Sequence, residues 1–177
     1  DADPLNKDGK MCLYAPDITV GPDGRYYLYY VLDKVCVVSV AVCDTPAGKF
    51  EFYGYVHYDD NTRLGEREGD EPQFDPGVLT RGDKTYLYTG FCSRGDRSRS
   101  GAMVTVLDSD MLTVVQAPKI VVPGCEYSKN TGFEGHEYFE AASIRMVGEK
   151  YYLVYSSVVM HELCYAVSEK PDEGFVY

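Results

Sequence analysis

No tryptophan occurs in the 177 residues, and histidine occurs three times. The Trp-Asp dipeptide that marks one class of blade repeat is therefore missing, and any aromatic platform must come from Tyr or Phe. No apolar run approaches the ~18 residues that a membrane-spanning helix needs, so such a helix is excluded. The opening DADPLNKDGK holds no apolar stretch, and no secretory leader is expected from it. Cations are few: 17 Lys and Arg stand against 28 Asp and Glu, a net charge of −11. That excess of acid argues against a nucleic-acid phosphate backbone as partner. A membrane partner is not expected either.

Close cysteine pairs are also missing. Cys12, Cys36, Cys43, Cys92, Cys125 and Cys164 contain no Cys-x-x-Cys, and several lie in apolar runs such as VCVVSVAVC and HELCYAV. They read as reduced core thiols, which makes the cytoplasm the expected compartment. His57, His136 and His161 form no zinc-ligand spacing with these cysteines, so no metal and no cofactor are expected. No segment shows a capped helical period.

What is present is tyrosine and repetition. The chain has 17 Tyr and 7 Phe, and its 45% hydrophobic content argues against wholesale disorder. Three segments share a turn, a Tyr-Leu pair and a further aromatic: GPDGRYYLYYVL (21–32), RGDKTYLYTGF (81–91) and VGEKYYLVYSS (147–157). Each belongs to a unit of four short strand candidates. These are APDITV, RYYLYYVL, VCVVSVAV and FEFYGYV; then PGVLT, KTYLYTGF, GAMVTVLD and LTVVQAP; then EAASIRMV, KYYLVYSS, HELCYAVS and a final FVY. PDG, GD and GE turns separate the first two strands of each unit, as hairpins require.

Four-stranded units repeating every ~60 residues predict an all-β fold of propeller blades, with a sandwich or barrel as the alternative. The units span about 12–58, 73–122 and 138–177 of one partial propeller domain covering residues 1–177. Three blades fall short of the roughly four to eight that close a propeller. The chain is therefore expected to be part of a larger one, with open blade edges inviting self-association. Two long insertions, 57–74 and 119–139, are expected at a rim.

Each unit opens with a carboxylate: Asp17, Asp75 and Glu140 lie ten to twelve residues before the Tyr of their Tyr-Leu pairs. Radial symmetry predicts that all three gather at one end of a channel. Mutual repulsion would then hold one proton among them, the apparatus of glycoside hydrolysis. As an alternative, such acids cap turns or pair with Arg.

YAPDI (14–18), FDPGVL (74–79) with YLYTG (86–90), and FEAASIR (139–145) with YYLVYSS (151–157) resemble glycoside hydrolase family 43. The likeness follows the whole chain in order, and its nearest match is to bacterial β-xylosidase or α-L-arabinofuranosidase-like members. The resemblance implies a five-bladed β-propeller and inverting hydrolysis of β-xylosides or α-L-arabinofuranosides in carbohydrate metabolism. By motif, the general acid falls on Glu140 and the pKa-modulating Asp on Asp75. Asp17, Tyr14, Phe74, His136 and Phe139 fall among substrate-binding residues, Tyr14 standing where many members have Trp. The general base belongs to a first blade that finds no counterpart here, although Asp3-Pro4 superficially resembles its motif. The isolated chain is accordingly expected to be inactive.

Further residues carry secondary expectations. His136 and Glu137 are placed at the mouth of the site. Arg145, five residues beyond Glu140, is expected on the opposite strand face, paired with another buried acid. Arg94, Arg97 and Arg99 form a basic hairpin tip, with a sugar-acid or phosphate contact as the alternative. His161-Glu162 lacks the HExxH pattern of a metal helix. The RGD tripeptides at 81–83 and 94–96 are turn chemistry. Two functional readings stand: a glycosidase, or a non-catalytic propeller fragment that binds carbohydrate or protein. Propeller fructosidases and mannoside phosphorylases are the neighbouring alternative.

Overall fold

The computed structural model describes residues 3–95, 99–159 and 162–177. Its elements are all strands, and no α-helix occurs among the described residues. β1 (Leu13–Val20), β2 (Tyr26–Leu32), β3 (Ser39–Cys43) and β4 (Glu51–Tyr55) form one antiparallel sheet in that order. β5 (Gly77–Arg81), β6 (Lys84–Thr89), β7 (Gly101–Leu107) and β8 (Val114–Pro123) form the second. β9 (Tyr138–Val147), β10 (Lys150–Ser157) and β11 (Leu163–Ser168) form the third. Val176 adds a fourth rung there, exchanging backbone hydrogen bonds of 2.8 and 3.0 Å with Val167. These are blades: each sheet is a meander, and their first strands β1, β5 and β9 pack side by side.

Two apolar layers join the three sheets. Tyr29, Val40, Leu64, Leu87 and Met111 fill the first, between sheets one and two. Tyr88, Val104, Tyr138, Ile144, Leu153 and Tyr155 fill the second, between sheets two and three. The largest buried tyrosines place their hydroxyls on backbone carbonyls: Tyr29 on Met111 (2.7 Å), Tyr138 on Gly90 (3.2 Å), Tyr155 on His136 (2.7 Å) and Tyr88 on Pro171. Tyrosine therefore serves as core as well as surface, its ring apolar and its tip satisfied.

Several local expectations change. Val35–Val38 is not strand, although Val37 and Val38 are buried, because the Cys36 carbonyl leaves the ladder to accept the Gln73 N–H at 3.0 Å. Cys36 is thereby exposed, as is Cys12, and only Cys92 and Cys164 are buried thiols. β8 continues to Pro123, so residues 119–123 are strand and not insertion. The 57–74 segment sends Leu64 and Tyr58 into the first apolar layer. It is tied by Asp70, which accepts from the Tyr58 hydroxyl (2.7 Å) and the Gly65 N–H (2.8 Å).

Candidate active site

Each inner strand is irregular where its acid lies. The β1–β2 register slips between Tyr14 and Asp17. Asp75, just before β5, takes φ +43°. The β9–β10 register slips on either side of the Glu140–Ser156 pair, and Ala141 takes φ +62°. Non-glycine residues in such conformations cost on the order of 1–3 kcal/mol each and persist where surrounding structure imposes them.

That structure is the close approach of β5 and β9. A Cβ on Gly77 would lie 2.4 Å from the Ala142 carbonyl oxygen, so only glycine lets the two strands meet here. The twisted backbone at Ala141 turns its N–H onto the Asp75 carboxylate. Asp75 is 6% exposed. Its burial first, and the charge of Glu140 second, push its pKa up to about 6 against the opposing effect of the Ala141 N–H. Asp75 thus keeps its proton into the mildly acidic range.

Asp17 is not part of this pair. Its carboxylate accepts the Val78 N–H at 3.0 Å, inside β5 and three residues along the chain from Asp75. It also accepts its neighbour Ile18 N–H at 2.9 Å. Arg145 reaches it from β9 with two hydrogen bonds of 3.0 and 3.1 Å. The simple repeat predicted three acids at one level; the β1 slip sets Asp17 apart, so the structure brings two together. The expected acid partner of Arg145 is therefore Asp17. The expectation that Arg145 faces away from Glu140 is corrected: the slip at Ala141 resets the alternation. Glu140 and Arg145 stand opposite Ser156 and Tyr152, which share a face of β10.

An aromatic row borders the pair. Tyr14 lies 5.3 Å from Phe74, Phe74 lies 5.2 Å from Phe91, and Phe91 lies 5.2 Å from Phe139, between ring centroids. Tyr14 is the open end, 41% exposed. Backbone hydrogen bonds clip the row in place: Gly90 N–H to Phe74 (3.1 Å) and Cys92 N–H to Phe139 (2.8 Å). Phe91 escaped the sequence reading, although it closes the YLYTGF run whose aromatic spacing was already evident.

Other expected residues fall elsewhere. His136 points its Nδ1 at Glu162 (2.9 Å) and stacks on Tyr177, 4.3 Å between centroids. Glu137 organises the preceding loop, accepting from Gly135 N–H (3.0 Å) and the Ser128 hydroxyl (3.2 Å). Arg99 donates to the Pro72 carbonyl at 2.9 Å, and Arg94 is exposed. Arg97 and His161 lie outside the described residues. Asp3 is buried against the first sheet, accepting from Tyr55 (2.8 Å), Tyr30 (2.9 Å) and the Leu5 N–H (2.9 Å). Burial pulls its pKa up, and these donors more than reverse that, leaving it lowered.

Antiparallel blades packed through their first strands, with two coupled carboxyls on adjacent ones, define a β-propeller with an acid pair at its inner strands. Residues 1–173 match glycosyl hydrolases family 43, and the chain belongs to that family. It is 74% identical over 175 residues to a xylosidase/arabinosidase of Thermoclostridium stercorarium, covering 99% of this chain and 37% of that protein. It is 27% identical to a xylosidase/arabinosidase of Bacteroides ovatus, over 88% of this chain and 52% of that one. Among solved structures it superposes on an α-L-arabinofuranosidase of Clostridium thermocellum with a TM-score of 0.67 and 26% identity, covering 93% of this chain and 50% of that chain. A β-xylosidase/α-arabinofuranosidase from a compost metagenome, solved with xylotriose, gives TM-score 0.67 and 25% identity, over 93% and 55% of the two chains. The solved relatives are five-bladed propellers, and this chain spans about half of their length.

Proposed function

We propose that this chain carries the acid side of a glycoside hydrolase active site that cleaves β-xylosides or α-L-arabinofuranosides with inversion. The observation that carries this reading is the close approach of β5 and β9 at Gly77, which sets Asp75 where the charge of Glu140 acts on it. Glu140 donates a proton to the glycosidic oxygen as the bond breaks; Asp75, the neighbouring carboxyl, acts on it by its charge and orients the donor through the shared Ala141 turn. An inverting partner base acts on water from the far side of the sugar, across about 6.5–9.5 Å, and comes from a blade beyond these residues. Tyr14, Phe74 and Phe139, joined by Phe91, form the apolar wall for the sugar ring. Asp17 and His136 belong to the surrounding channel. The names of the relatives support the sugar class.

In the longest natural protein that carries this chain, Glu140→Gln is expected to cut hydrolysis of natural xylosides or arabinofuranosides at least ~100-fold with sugar binding retained. An unchanged rate overturns the acid assignment. The aromatic row favours a second reading, in which the chain binds carbohydrate without cleaving it. Binding that survives Glu140→Gln in a parent with no hydrolysis selects that reading.

The exposed apolar side chains of the third sheet, Leu163 and Tyr165 among them, offer a face for self-association of the isolated chain. A single monomeric species in sedimentation equilibrium overturns this. The apolar sequence settings of Cys36 and Cys164 favour the cytoplasm; recovery of the chain's cysteines as disulfides from native cells overturns that.

A further inference from the structure

Along the chain, no His–Cys spacing suited a metal. Folding brings together three donors that sequence distance kept apart. His136 lies in the turn before β9, Glu162 just ahead of β11, and Cys164 inside β11. A ring nitrogen of His136, a Glu162 carboxylate oxygen and Cys164 Sγ all lie within 4.8 Å of one another. Glu162 Oε2 is the hub, 2.9 Å from His136 Nδ1, 3.2 Å from Cys164 Sγ and 3.0 Å from the Ser157 hydroxyl.

We infer that His136, Glu162 and Cys164 form a binding site for a zinc-type divalent cation, with one coordination position left for water. The donor set is one imidazole, one carboxylate and one thiolate, the mixture that zinc takes and that calcium and magnesium do not. Tetrahedral zinc bonds of ~2.0–2.3 Å set neighbouring donors roughly 3.4–3.6 Å apart. The two contacts to Glu162 therefore need open by only about half an ångström, and His136 and Cys164 already lie within 4.8 Å of each other. The supports for such a site are in place. Tyr177 stacks on the imidazole at an interplanar angle of 13°, and the Tyr155 hydroxyl holds the His136 carbonyl at 2.7 Å. Ser157 orients the carboxylate, as outer partners of metal ligands do. The thiol is 3% exposed, whereas the His136 and Glu162 side chains are 37% and 38% exposed, leaving a route for the ion from solvent. On binding, the thiol proton leaves to solvent and the sulfur coordinates as thiolate, while the ring proton between His136 and Glu162 shifts to Nε2 and frees Nδ1 for the ion.

The location gives the site a consequence. Ser157 follows Ser156, which stands opposite Glu140, so the cation would fasten the ends of β10 and β11 to the turn that leads into the Glu140 strand.

The test is titration of the chelator-treated, fully reduced chain with Zn2+ and with Co2+. One equivalent is expected to bind, with a near-ultraviolet thiolate-to-cobalt charge-transfer band, and zinc is expected to raise the melting temperature. Cys164→Ser should abolish the band, and Cys12→Ser with Cys36→Ser should leave it intact. His136→Gln, at a half-exposed position, should abolish saturable binding while circular dichroism stays native, and Ser157→Ala should weaken it about tenfold. No saturable binding to the wild-type chain, or a band that survives Cys164→Ser or His136→Gln, overturns the inference.

Discussion

Asp75 holds a carboxyl where water barely reaches it, beside a second carboxyl and against a backbone N–H. Its folded pKa of about 6 lies above the ordinary 3.8, so ionising it opposes folding. Below about pH 4 the penalty is absent; it grows as pH rises toward 6 and is constant above. Asp75→Asn, which keeps the acceptor for Ala141, is therefore expected to stabilise the chain by up to about 3 kcal/mol at pH 7 and hardly at all at pH 4. Denaturant midpoints at the two pH values check this, and equal gains at both refute a buried charge. The acids themselves were legible, because FDP and FEA open their strands in a repeated frame. Phe91 and the Arg145–Asp17 pair were not, since ring packing and cross-blade reach leave no local spacing to read.

At the scale of elements, the hairpins were written in the turns: PDG, GD and GE separate the first two strands of each blade. Alternation alone could not show where strands slip. The breaks beside Asp17 and Glu140 depend on what the neighbouring inner strand demands, and Gly77 marks that demand. Gly77→Ala places a methyl 2.4 Å from the Ala142 carbonyl oxygen. It is expected to cost about 1–3 kcal/mol by pushing β5 from β9, and to lower the Asp75 pKa as the carboxyls separate. Chemical denaturation measures the first and carboxyl NMR titration the second. An unchanged pKa beside a lost stability would mean that the acid pair does not depend on this contact. The same limit applied to β3 and β8: Val35–Val38 read as strand because it is apolar, but Gln73 captures its backbone, and the 119–123 run was strand despite lying in an apparent insertion.

For the whole molecule, the blade repeat was readable from the Tyr-Leu period, whereas the layers between blades were not. Their filling by tyrosines with satisfied hydroxyls emerges only when sheets face one another. One link passes over a neighbour: Arg145 on β9 grips Asp17 on β1, 128 positions apart in sequence, with the second sheet lying between them in chain order. Closure of so long a loop is expected to wait until the intervening sheet has docked, so this ion pair is expected to form late on the folding route. Arg145→Met should accordingly leave the refolding rate nearly unchanged and speed unfolding by about 2–5-fold, the range set by a half-exposed ion pair. Stopped-flow folding and unfolding limbs separate the two, and a slowed refolding limb would place the contact early. The Arg145–Asp17 pair is then a latch on kinetic persistence: it lengthens the lifetime of the assembled blades without helping them to form.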